Sequence, residues 1–126
     1  MSDVNQLHNR AVWFDIPVAD LDRAVAFYRA VLDIGVDVMP MGETRFAVLE
    51  HEHGNGGCLV IAPELVCERG PLIYLNAEGR LAEAVAAVEA HGGAVLEPVH
   101  AIGPHGFRAL IKDSEGNRMA LHAQSA

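Results

Sequence analysis

The stretch from Ala11 to Asp33, AVWFDIPVADLDRAVAFYRAVLD, reads as one strand, one tight turn and one amphipathic helix. Pro71 opens a weaker echo, PLIYLNAEGRLAEAVAAVEAHGG. The corresponding leucines, Leu21 and Leu81, stand roughly sixty residues apart, too far for solenoid repeats and consistent with a duplicated half-domain. No other feature limits the fold as much. Each helix has one apolar stripe, and each stripe needs a surface to cover.

The strands say which surface. Val12, Phe14, Ile16 and Val18 alternate with Ala11, Trp13, Asp15 and Pro17. Strand side chains alternate between faces, so the first set makes an apolar face and the second a mixed one. Asp20 then stands at the N-cap position, and Asp22 falls in the first turn, where the helix dipole favours a carboxylate. Leu21, Ala24, Val25, Tyr28, Val31 and Leu32 follow at helical spacing, and Gly35 is the expected stop. The helix covers the apolar strand face and leaves the Trp13/Asp15 face pointing away. In the echo, Ile73, Leu75 and Ala77 alternate with Leu72, Tyr74 and Asn76. Leu81, Ala84, Val85 and Val88 form the stripe, and Gly92 and Gly93 end it. Tyr74 and Asn76 occupy the face turned away from that helix.

The remaining chain supplies three strands after each helix. They are expected at Val36 to Met41, Thr44 to Glu50 and Gly57 to Ala62, then at Ala94 to His100, Phe107 to Lys112 and Arg118 to His122. HEHGNG, at residues 51–56, and DSEGN, at residues 113–117, are turns by composition. The order is βαβββ twice: an α+β fold of two modules, over residues 11–62 and 71–123 of a single 126-residue domain. A ferredoxin-like domain shares the strand-helix-strand start but has too few strands between its helices. Residues 1–10 are polar and read as a loose arm.

A net charge of -8 and a pI near 5.2 argue against nucleic acid or an anionic membrane surface as partner. No apolar run is long enough to span a bilayer, and MSDVNQLHNR lacks the apolar segment of a signal peptide. The expected location is the cytoplasm, where Cys58 and Cys67 stay free thiols. Their spacing matches no common zinc pattern.

VADLDRAVAFYRAVLD resembles the VxDLxRAxxFYxxVLG signature of the vicinal oxygen chelate superfamily, and DSEGNRMALH resembles its DPxGNxxEL ending. That superfamily holds glyoxalase I, extradiol dioxygenases, methylmalonyl-CoA epimerase, and bleomycin and fosfomycin resistance proteins. The resemblance covers Ala11 to Ala123 and implies two βαβββ modules whose helix-free strand faces line an open cleft. Metal-dependent members carry ligands at four positions, on the first and last strands of each module. In this chain those positions fall at Trp13, Leu72 and Ala120, with the fourth near Cys58. Trp, Leu and Ala bind no divalent ion, so no cofactor is expected. A shift of two residues along each strand brings in Asp15, Asn76 or Tyr74, and His122, which keeps a divalent metal as the alternative.

Seven residues are the candidate site. Asp15 and His122 are the candidate catalytic groups: a carboxylate in an apolar cleft titrates high and serves as a general base. Either is equally a structural residue, Asp15 paired with Arg118 or His122. Trp13 is either a wall for a flat ligand or a core aromatic. Tyr74 and Asn76 offer a hydroxyl and an amide that orient a ligand or satisfy a sheet edge. His105 sits beside Gly106 in the rim loop AIGPHG, and Cys58 is retained because it lies near the fourth ligand position. His51 and His53, in HEHGNG, form a His-x-His pair on a loop with little preorganisation. No Ser/His/Asp order, phosphate-binding loop or dinucleotide fingerprint is present.

Three functions compete. The first is a small-molecule binding protein of the resistance or sequestration kind, using the cleft without a metal; the acidic balance suits neutral or cationic ligands. The second is a lyase, isomerase or dioxygenase, metal-free or with shifted ligands. The third is an interaction module whose cleft is filled by its own side chains. Exposed sheet edges invite pairing, and the resembled family is commonly dimeric, so a homodimer is expected, with the first strand region near its interface.

Overall fold

A computed structural model describes residues 8–126; of the polar arm expected over residues 1–10, residues 1–7 lie outside the described part. Eight strands and two α-helices follow in order, besides two short 3-10 turns at Pro63–Leu65 and Gly103–His105: β1 (Asp15–Val18), α1 (Leu21–Leu32), β2 (Val36–Met41), β3 (Thr44–Leu49), β4 (Cys58–Ile61), β5 (Ile73–Asn76), α2 (Leu81–Ala90), β6 (Ala94–Ala101), β7 (Phe107–Lys112) and β8 (Arg118–Ala123). They make two four-stranded sheets, ordered β1-β4-β3-β2 and β5-β8-β7-β6. In each, the first strand runs parallel to the last, and the remaining pairs are antiparallel. The two βαβββ modules are therefore present, each with its own sheet. A ferredoxin-like single sheet is excluded.

Strand parity is as the alternation predicts. Ile16 and Val18 of β1, and Leu75 and Ala77 at β5, are buried beneath the helices. So is the whole predicted stripe of α1, joined by Phe27, which the spacing left out. Asp20 caps α1 by accepting a hydrogen bond from Arg23 N at 3.0 Å. The helix stops earlier than expected. Asp33, not Gly35, takes the left-handed conformation, at φ 54° and ψ 51°. Asp is one of the few residues whose short polar side chain tolerates that region. β1 is also shorter than expected, so Trp13 precedes the strand rather than lying in it.

Helices α1 and α2 pack against each other, and one continuous core joins both modules. Gly93 marks how tight the junction is. A Cβ there would lie 2.8 Å from the Phe27 ring and 2.9 Å from Val88, besides striking the Lys112 carbonyl. With the helices facing each other, each sheet turns its helix-free face outward.

The turn DSEGN, at residues 113–117, ties the second module to α1 and the end of β1. Tyr28 of α1, fully buried, donates its hydroxyl to Asp113 Oδ2 at 2.5 Å. Asp113 Oδ1 accepts from the backbone N–H groups of Glu115, Gly116 and Asn117, each at 2.9 Å. Asn117 Nδ2 donates to Asp113 Oδ2 and to the Pro17 carbonyl, at 3.1 and 2.7 Å. Glu115 Oε1 accepts from the backbone of Ala19 and Asp20 at 2.9 and 2.8 Å, at the start of α1. Arg23 closes on the same carboxylate at 2.7 Å. From the other side, Arg80 at the N-cap of α2 donates to the Val31 carbonyl. Partial burial works to raise the Glu115 carboxyl. Hydrogen bonds from Arg23, Asp20, Ser114 and Ala19 outweigh it and hold the group down at about 2.

Candidate functional site

The helix-free face of the second sheet follows from register. Phe107, Ala109 and Ile111 alternate with Arg108, Leu110 and Lys112 along β7. Ala109 and Ile111 go to the core, so Arg108 points away from it. Arg108 pairs with His122, Leu110 with Ala120, and Lys112 with Arg118. Tyr74 stands beside Ala120 on the parallel neighbour. Paired residues share a face, so these side chains share one surface.

At one end of that surface lies a cavity of about 530 Å³ lined by Tyr74, Ile102, His105, Arg108 and His122. Its groups are linked. Arg108 Nη1 donates to the Tyr74 hydroxyl, and the guanidinium lies 5.9 Å from the centre of the Tyr74 ring. Arg108 Nε donates to His100 Nε2 at 3.0 Å, while His100 Nδ1 donates to the Pro98 carbonyl at 2.9 Å. His122 packs edge-on against Tyr74, with ring centres 6.1 Å apart. Its Nε2 lies 2.7 Å from the His105 carbonyl. A carbonyl only accepts, so Nε2 carries the proton and Nδ1 is the ring's acceptor. The rim loop thus fixes the tautomer of His122.

A second cavity of about 480 Å³ opens where the modules meet. Phe14, Leu32, Ile34, the loop 50–57 and Tyr74 to Asn76 line it. Tyr74 borders both cavities. Asn76 spends its Oδ1 locally, accepting from Glu78 N at 2.8 Å.

The expected site residues therefore separate into two groups. Tyr74, His122 and His105 come together with Arg108, and Asn76 adjoins them on β5. Asp15 and Cys58 lie on the first sheet, paired by register, with Cys58 Sγ donating to Asp15 Oδ1 at 3.1 Å. Asp15 is thus partnered by Cys58, not by Arg118 or His122. Burial, with Asp15 beside it, pushes the Cys58 thiol up to about 11. Trp13 meets His51 edge-on at 5.5 Å and lines neither cavity. His51 Nδ1 turns back onto the Gly54 carbonyl at 2.8 Å.

This donor set does not fit a family-type metal. Trp13, Leu72 and Ala120 present no side-chain ligand for a divalent ion. Among the described residues, no group of three or more His, Cys, Asp or Glu is placed to hold an ion. Among the described residues also, no helix is long and apolar enough to cross a membrane.

Arg108 was not singled out from the sequence. Its signal was present in the alternation of FRALIK, which puts Arg108 on the open face, and in the adjacency of the last two strands, which puts it opposite His122.

Comparison with known proteins agrees with the architecture. The sequence profile of the bleomycin resistance protein-like N-terminal family matches residues 10–50. No curated protein matches the chain closely enough to count as a relative. Among solved structures, a glyoxalase/bleomycin resistance protein from Albidiferax ferrireducens superposes with a TM-score of 0.72 at 18% identity, covering 88% of this chain and 95% of that one. A hypothetical protein from S. aureus gives 0.71 at 19%, covering 92% and 98%. A genomically encoded fosfomycin resistance protein from Listeria monocytogenes gives 0.68 at 15%, covering 93% and 94%. The chain has the paired βαβββ fold of the vicinal oxygen chelate superfamily, and its first module carries the bleomycin-resistance-type sequence pattern.

Proposed function

We propose that this chain is a small-molecule binding protein of the glyoxalase/bleomycin-resistance type, and that its ligand lies on the open face of the second module without a metal. One observation carries the reading. Tyr74, Arg108 and His122 converge on a 530 Å³ hollow with an apolar wall at Ile102. A few convergent polar groups in an apolar hollow of that size are the usual make-up of a ligand site. A fragment screen followed by NMR tests it: hits should move the Tyr74 and His122 ring signals. Hits that leave those signals in place and move residues elsewhere overturn it. The tautomer of His122 supports a second reading, a metal-free lyase or isomerase in which Nδ1 takes a proton from the ligand.

The same reading includes a homodimer. β1 and β5 each end their sheet, so each has an unpaired edge. Met39 and Met41 stand exposed on the helix-free face of the first sheet. A second copy would cover both. Light scattering should give twice 13.5 kDa, and a mass of 13.5 kDa at micromolar concentration overturns this part.

A further inference from the structure

We infer that Arg108 and Tyr74 hold the carboxylate of a small organic acid on the open face of the second module. The inference rests on reading that face as the ligand site, and it names what the site takes.

Among the described residues, Lys112 is the cation on this face with a carboxylate partner, while Arg118 and Arg108 both bond neutral groups and Arg108 is the one that lines the cavity. Lys112 is matched by Glu68 at 2.8 Å. Arg118 donates Nη2 to the Gly70 carbonyl at 3.0 Å. Arg108 bonds two uncharged groups, His100 Nε2 and the Tyr74 hydroxyl, and among the described residues no carboxylate lies within ion-pair distance of it. The nearest carboxylate in this network, Glu97, lies 4.0 Å from His100 Nε2, beyond that ring, so no carboxylate closes directly on the guanidinium. These bonds also fix its orientation. They consume Nε–H and one Nη1 hydrogen, which leaves Nη2 and the other Nη1 hydrogen as a fork toward the cavity. Planar carboxylates match that fork with two parallel hydrogen bonds. The Tyr74 hydroxyl accepts from Arg108, so its own proton is left to donate to the same oxyanion. His122 Nδ1 adds an acceptor for a hydroxyl on the ligand, and Ile102 and the Tyr74 ring take an apolar body.

Carboxylate fits better than phosphate. A phosphate dianion draws on several cations or a nest of backbone N–H groups, and this cavity offers one guanidinium. The overall charge of -8 points toward neutral or cationic ligands. The cavity reverses that expectation locally, because Arg108 is the charged residue that lines it.

Four probes of one shape test the assignment by NMR titration of the whole chain: benzoate, benzamide, benzylamine and phenyl phosphate. The Tyr74 and His122 ring signals are followed throughout. Benzoate should bind at least about tenfold more tightly than benzamide, which has its shape but no charge. Arg108→Gln should remove that difference by weakening benzoate and leaving benzamide unchanged. Arg108→Lys, which keeps the charge and loses the fork, should restore only part of it. The wild-type comparison of benzoate with benzamide stands even if the Arg108 variants fold poorly. Benzamide or benzylamine binding as tightly as benzoate overturns the carboxylate and leaves the ligand site intact. Phenyl phosphate binding more tightly than benzoate overturns carboxylate in favour of phosphate. If no probe moves Tyr74 or His122, the ligand site itself is overturned, and the carboxylate with it.

Discussion

The two modules are built alike on their inner faces and differently on their outer ones. Inside, β1 and β5 present the same kind of surface to a helix, through Ile16 and Val18 in one and Leu75 and Ala77 in the other. Outside, the first sheet shows Phe46, Val48, Val60, Met39 and Met41, with Asp15 and Asp37 as its charges. The second shows Tyr74, Arg108, Lys112, Arg118 and His122, with Glu97 as an acid among them. The inner faces answer to one shared core, so close packing restricts what can change there. The outer faces answer to no common constraint. Chemistry in a duplicated fold is therefore to be sought where the copies differ, and here that is the outer face of the second copy.

The junction between the modules follows the opposite rule, and it gives the largest expected effect. Asp113 is buried and receives hydrogen bonds from Tyr28, Asn117 and three backbone N–H groups. Asp113→Ala leaves the buried Tyr28 hydroxyl and the Glu115 and Asn117 backbone N–H groups without that acceptor, while Asn117 Nδ2 keeps the Pro17 carbonyl. The expected cost is about 3 to 5 kcal/mol, read from the urea midpoint. Binding at Arg108 should persist in whatever fraction stays folded. Tyr28→Phe removes one donor from the same group and should cost about 1 to 3 kcal/mol by the same measurement. A neutral outcome for both would mean that the core alone holds the modules together.

Acid should loosen this junction in a defined window. The folded Glu115 carboxyl titrates at about 2, below the ordinary glutamate value of 4.5. A depressed carboxyl stabilises fully above its unfolded value and stops doing so as pH falls through its folded one. Stability should therefore decline between about pH 4.5 and 2. In Glu115→Gln that part of the decline should be absent, with the variant already weaker at neutral pH. Urea midpoints at unit pH steps compare the two. Parallel acid limbs would show that Arg23 and the start of α1 do not depend on the charge.

These residues also explain what the sequence could and could not say. Tyr28 lies in the FYRAVL stretch, and Asp113, Glu115 and Asn117 lie in DSEGN, the two motifs that carry the family resemblance. They tie one module to the other, which is why the motifs announce a fold and are silent on a reaction. Alternation fixed the strand faces, because burial acts on every second residue. It did not say how the modules turn relative to each other, and that rotation depends on the α1–α2 contact. Parity puts Trp13, Asp15, Tyr74, Asn76 and His122 on helix-free faces, and the family resemblance implies that those faces form one cleft. The two outer faces look outward from a shared core, so the five divide between them. The separation of Asp15 from His122 is a tertiary fact with no periodic signature.

Trp13 is the smallest test and separates the two outer faces most directly. It precedes β1, is half-buried, and rests edge-on against His51 in the loop that follows β3. A single edge-on aromatic pair contributes about 0.5 to 1.5 kcal/mol beyond its burial, whereas a core tryptophan cut to alanine costs about 3 to 5 kcal/mol. Trp13→Ala should fall near the lower range in a urea titration. It lines neither cavity, so the Tyr74 and His122 signals should respond to benzoate in the variant as they do in the wild-type chain. A stability loss above about 3 kcal/mol would place Trp13 in the core. A loss of benzoate binding with the fold intact would join the two outer faces into one working surface and break the contrast between the modules.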